Sequence, residues 1–138
     1  MNAWLVPIKP QSWRVVKSSG IFGLPKMEQR VRIGDFIIFY VLKSASGIVA
    51  LGKIVSNAFE DHADLWGKNK YPFRFRVEII FDCSEFGGKA VPLSVVYGKT
   101  SSPNVSIEPF FHNVWITKIS DQQYEKLKRY LLSINCRT

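Results

Sequence analysis

The chain has 138 residues, the size of one ordinary domain, and its 46% apolar content excludes disorder. A formal net charge of +8 favours polyanionic partners, nucleic acid before an anionic membrane, and no apolar run approaches the roughly 20 residues that span a bilayer. The opening residues lack a basic segment followed by a long apolar stretch, so no secretory signal is expected, and two cysteines, Cys83 and Cys136, suit a reducing, cytoplasmic setting.

Ala3 to Ile8 reads as a first strand. Pro10, Gln11 and Ser12 lead into a short helix from Trp13 to Lys17, which Ser18, Ser19 and Gly20 end. Ile21 to Pro25 reads as a loop, because Gly and Pro resist regular structure, and Lys26 to Val31 as a helical turn. Gly34-Asp35 launches Phe36 to Leu42, an unbroken apolar run of the kind buried on both faces. A Ser/Gly turn joins it to a strand from Ile48 to Ser56, making a hairpin. Phe59 to Lys70 is a long loop, acidic first (Glu60, Asp61, Asp64) and then basic (Lys68, Lys70).

Phe73 to Asp82 follows as a strand of clean alternation. Phe73, Phe75, Val77, Ile79 and Phe81 point one way; Arg74, Arg76 and Glu78 point the other. Phe86-Gly87-Gly88 turns the chain, Pro92 to Val96 is a weak strand or helical turn, and Gly98 to Ser106 is a polar loop. Val114 to Ile119 is the last strand. Ser120 and Gln123 form a capping box for an amphipathic helix whose apolar stripe is Tyr124, Leu127, Leu131 and Ile134. Lys126, Lys128 and Arg129 lie on its solvated face. The expected fold is α+β: a small mixed β-barrel of five to six strands with flanking helices, in one domain over residues 1–138.

The richest chemistry lies between Trp66 and Phe81. Two large aromatics, Trp66 and Tyr71, and two lysines, Lys68 and Lys70, share a short loop ahead of a rigid strand. Flat rings beside positive charge suit a nucleotide base with its phosphate tail. Lys26, Lys68, Lys70 and Arg74 are the expected backbone contacts, which position a strand without reading its sequence. Each feature has a plainer alternative: Phe22 as a core ring, Trp66 as a plug, Tyr71 as a staple at strand entry, and the lysines as solvated charge. Trp4, Trp13 and Trp115 are read as core, and Phe110 and Phe111 as a cap.

Five motifs in order carry a family resemblance. They are Trp4-Leu5-Val6, Gly23-Leu24-Pro25, Gly34-Asp35, Gly52-Lys53-Ile54-Val55 followed by Asp61, and Tyr71-Pro72-Phe73-Arg74. Together they resemble the EVE domain, of the PUA-like group that also holds the YTH and ASCH domains. The resemblance extends from Ala3 to Leu132. It implies a PUA-like barrel of five or six strands and recognition of nucleic acid through a flipped, methylated base in an aromatic cage. By similarity to the YTH pattern, the cage walls fall at Phe22, Trp66 and Tyr71. The chain departs from the family in having Phe22 where members often carry Trp. It also lacks the basic segment expected before the last strand, with Ser101-Ser102-Pro103-Asn104 and Phe110-Phe111-His112-Asn113 instead.

Two other classes stay open. An ASCH-like ribonuclease would draw on Asp61 or His62 with Lys70. A protein-interaction module could use the same rings to hold a methylated lysine. Neither the cysteine and histidine spacing nor any Gly-rich signature points to a metal or a cofactor. DNA and RNA, and methylated adenine and methylated or hydroxymethylated cytosine, are equally compatible. Nothing in the sequence argues for a disulfide.

Overall fold

The computed structural model describes residues 1–41, 47–67, 70–83 and 116–133. Strand β1 (Ala3–Ile8) leads to helix α1 (Pro10–Ser19) and strands β2 (Ile21–Leu24), β3 (Phe36–Val41), β4 (Gly47–Ile54), β5 (Phe59–Glu60) and β6 (Phe73–Asp82). After the residues outside the description come β7 (Thr117–Ile119) and helix α2 (Asp121–Ser133). The strands form one curled mixed sheet in the order β2-β6-β4-β3-β1-β7, with β5 paired to β6 off that path. β1 and β3 run parallel, with Leu5 opposite Ile38, and the other pairs are antiparallel.

The apolar run in β3 is buried on both faces because each face packs a helix. Ile38 and Tyr40 join Leu5, Leu51 and Phe81 under Leu127 and Leu131 of α2. Ile37 and Phe39 join Trp4, Phe22 and Phe75 under Trp13 and Val16 of α1. Helix α1 starts on Pro10, which forfeits no bond there, and ends on Gly20 at φ 70°, whose N–H donates to Val16 O at 2.8 Å. Ser120 Oγ accepts from Gln123 N–H at 3.1 Å, and Gln123 Oε1 accepts from Ser120 N–H at 2.7 Å, which completes the capping box.

The Gly34-Asp35 motif has a structural job. Buried Asp35 accepts N–H bonds from Asn2, Trp4 (its indole) and Arg32, each at 3.0 Å. One carboxylate thus fixes the start of β1 against the start of β3.

Several local expectations need correction. A register shift opposite Leu51 and Gly52 turns Phe81 away from the face of Phe75 and Val77 and packs it with Leu5 and Ile38. Phe59–Glu60 leaves the loop to pair with β6. Ile21 to Leu24 is a strand, because pairing with β6 overrides the local preference of Gly23 for a loop. Helix α1 spans Pro10–Ser19, longer than Trp13 to Lys17. Lys26 to Val31 holds turns, with no helix. Cys83, buried at the end of β6, is disulfide-bonded, a bond for which the sequence pattern offers no argument. The features read at 42–46 and 84–115, including Trp115, Phe110 and Phe111, lie outside the described residues, as do Ile134 and Cys136.

Candidate nucleic-acid interface

The loop from Asp61 to Tyr71 is built by its own polar side chains. Asp61 Oδ1 accepts from Ala63 N–H and Asp64 Oδ1 from Gly67 N–H, both at 2.9 Å. Gly67 sits at φ 131°, open only to glycine, and Lys70 N–H returns to Gly67 O at 3.1 Å. Tyr71 then adopts φ 53°, an uncommon conformation for a bulky side chain that costs on the order of 1–3 kcal/mol. The loop returns to the sheet where Asp61 N–H donates to Pro72 O at 2.9 Å.

Folded this way, the loop lays Trp66 and Tyr71 over the sheet. The rings meet edge to face with centroids 5.7 Å apart. Both are half-buried. The Trp66 indole N–H donates to Ser12 O of α1 at 3.4 Å. Beneath them lies Gly23. A Cβ built there would stand 2.6 Å from Tyr71 O, 2.7 Å from Tyr71 Cβ and 3.0 Å from Trp66 Cζ3. Only a residue without a side chain admits the Tyr71 backbone and the Trp66 ring so close to β2.

Arg74 completes the assembly from below. Its side chain is 0% exposed, and its Cζ lies 5.0 Å from the Trp66 ring centroid. Nε donates to Tyr71 O at 3.2 Å, and Nη2 donates to Ala63 O. Nη1 lies 3.4 Å from Asp61 Oδ2, near enough for ion pairing but not aligned for a hydrogen bond. The guanidinium's planar fork bonds two separate loop carbonyls while its charge lies beside a carboxylate, a span that lysine's single nitrogen lacks.

The expected site residues therefore divide. Trp66 and Tyr71 come together. Phe22 does not join them: it is 1% exposed and stacks on Phe75 at 5.2 Å in the core. Strand pairing explains this. Phe22 and Leu24 face inward and Gly23 outward, so the residue under the rings is Gly23. Arg74 is an anchor of the loop rather than an exposed phosphate contact: it points away from Phe75, as its parity predicts, but Trp66 covers it. Lys26 and Lys70 are exposed. Leu24 pairs with Phe73, so both lysines flank the same end of the β2–β6 pair. Lys68 lies outside the described residues.

Gly23 is the residue of the candidate site that sequence reasoning misses. A Gly-Leu-Pro segment reads as a chain breaker; alternation with Phe22 and Leu24 was the available signal.

Of the residues named for ribonuclease chemistry, Lys70 is exposed and the other two have local partners. Asp61 serves Ala63 and Arg74, and exposed His62 has Nε2 3.6 Å from Glu60 Oε1. Among the described residues no cluster of three His, Cys, Asp or Glu side chains could hold a metal. Among the described residues, too, no helix is long and apolar enough to cross a membrane.

A curled mixed sheet with a helix on each face, the first strand parallel to the third, is the PUA-like architecture of EVE and YTH domains. Among solved structures, a hypothetical protein from Leishmania major shares it with a TM-score of 0.66 at 13% identity, covering 98% of this chain and 97% of that one. The YTH domain of Mmi1, solved in complex with RNA, superposes with a TM-score of 0.62 at 12% identity, over 94% of this chain and 80% of that one. The chain belongs to the EVE domain family, whose profile matches residues 2–93. A UPF0310 protein of Saccharolobus solfataricus is 34% identical over 97 residues, 60% of this chain and 65% of that protein, so the match spans less than two thirds of that relative. A UPF0310 protein of Pyrococcus abyssi is 28% identical over 95 residues, 58% of this chain and 67% of that protein.

Proposed function

We propose that this EVE domain binds nucleic acid without catalysis, holding a modified, flipped base against Trp66 and Tyr71. The observation that carries the reading is the ring pair itself, two half-buried aromatics held in place by Arg74 and by the space at Gly23. Lys26 and Lys70 flank that end of the sheet, and the net charge of +8 suits a phosphate backbone. The Mmi1 YTH domain, which shares the fold, was solved with RNA.

The energetics are adequate with two rings. Extruding a base costs a few kcal/mol, least from a single strand. Stacking recovers about 1–3 kcal/mol per base. A buried methyl group adds roughly 0.8 kcal/mol, a preference of about fourfold for the modified base.

The test is a binding screen of short DNA and RNA strands, each paired with a twin carrying methylated adenine or methylated or hydroxymethylated cytosine. At least one modified strand is expected to bind more tightly than its twin, and Trp66→Ala to weaken that binding about tenfold or more. Equal affinities across every pair and both proteins would reject the reading.

A further inference from the structure

We infer that the buried Arg74 charge makes the ring site selective for neutral bases over cationic ones. This rests on the base-binding reading above and specifies the chemical class of its ligand. The indole of Trp66 already has a cation on it, since Arg74 Cζ lies 5.0 Å from the ring centroid. A second cation on the opposite face would still feel the ring's attraction, but it would share the indole with a fixed guanidinium.

The guanidinium also repels. A ligand stacked on the far side of the indole would lie ~8.5 Å from Arg74, allowing ~3.5 Å for the stack. At an effective dielectric near 20, two like charges at that separation cost about thirtyfold in affinity.

Asp61 only partly offsets this charge. Arg74 is 0% exposed, whereas the Asp61 side chain is 43% exposed, so water screens the carboxylate more than the guanidinium. The net expectation is discrimination of about tenfold. By the same argument, the rings are poorly suited to a methylated lysine, whose charge is permanent once trimethylated.

The experiment uses an isosteric pair. One single strand carries 7-methylguanine, which is cationic below the titration of its N1–H, so binding is measured in mildly acidic buffer; its twin carries 7-methyl-7-deazaguanine, which has the same shape and is neutral. Affinity and tryptophan quenching are measured for the wild type, with Trp66→Ala as the baseline for backbone binding. The neutral strand is expected to bind about tenfold more tightly, a preference that Trp66→Ala abolishes.

Asp61→Asn removes the counter-charge but keeps the Oδ1 that accepts from Ala63 N–H. It should widen the discrimination. Equal binding of the two strands in the wild type, with Trp66-dependent quenching by both, would overturn the charge inference and leave base binding standing. No Trp66-dependent binding of either strand, or of any modified strand in the earlier screen, would overturn both. Trp66-dependent capture of a trimethyllysine peptide would overturn the inference in favour of a protein partner.

Discussion

Phe22 and Gly23 are neighbours in sequence with opposite duties, and substitution should separate them. Phe22 is enclosed between Phe39 and Phe75, with ring centroids at 5.9 and 5.2 Å. Phe22→Ala is expected to cost about 3–5 kcal/mol of stability, read by denaturant unfolding, through the cavity it leaves. Gly23→Ala creates no cavity. Its methyl group would stand where Tyr71 O and Cβ are now, at 2.6 and 2.7 Å, so the loop must shift outward. Near-ultraviolet circular dichroism should report displaced rings, and oligonucleotide affinity should fall more than stability does. A Gly23→Ala protein with unaltered ring signals would show that the loop has slack the geometry does not suggest.

Whole elements were more legible than their contacts. The capping box at Ser120 is a pattern of fixed spacing and holds as read, and the period-two alternation of β6 holds from Phe75 to Ile79, but a bulge opposite Leu51 and Gly52 then turns Phe81 to the other face. The segment Ile21–Leu24 was illegible because its strand state comes from β6, some fifty residues on. Parity along β6 showed that Arg74 points out of the core, but not that a loop would fold back and cover it. The cover depends on a Tyr71 backbone conformation that local propensity opposes. Ser120→Ala tests the element that was read correctly. It removes the Oγ acceptor for Gln123 N–H and is expected to lower stability by about 1 kcal/mol, with no effect on oligonucleotide binding.

At the scale of the molecule, α2 is tied to the sheet partly by Tyr124, which stacks on Phe36 with centroids 4.8 Å apart. Burial, with a smaller contribution from Glu125, pushes the Tyr124 hydroxyl up to about 12. The folded state therefore holds this proton more tightly than the unfolded chain, where tyrosine titrates near 10. The stabilisation is complete below about pH 10 and is lost as pH rises from there toward 12. Unfolding measured at pH 8 and pH 11 should show a smaller alkaline loss in Tyr124→Phe than in the wild type. An identical loss in both would place the alkaline sensitivity elsewhere.

The position of β1 sets a constraint on how the molecule is made. Ala3 bonds alongside both Phe36 and Ile119, so β1 has one neighbour synthesised soon after it and another that arrives more than a hundred residues later. Through most of translation, one side of an apolar strand carries unmet amide and carbonyl groups. Such an edge invites pairing with other chains. Removing Thr117–Ile119 would make that transient exposure permanent, and aggregation of the altered protein would report it.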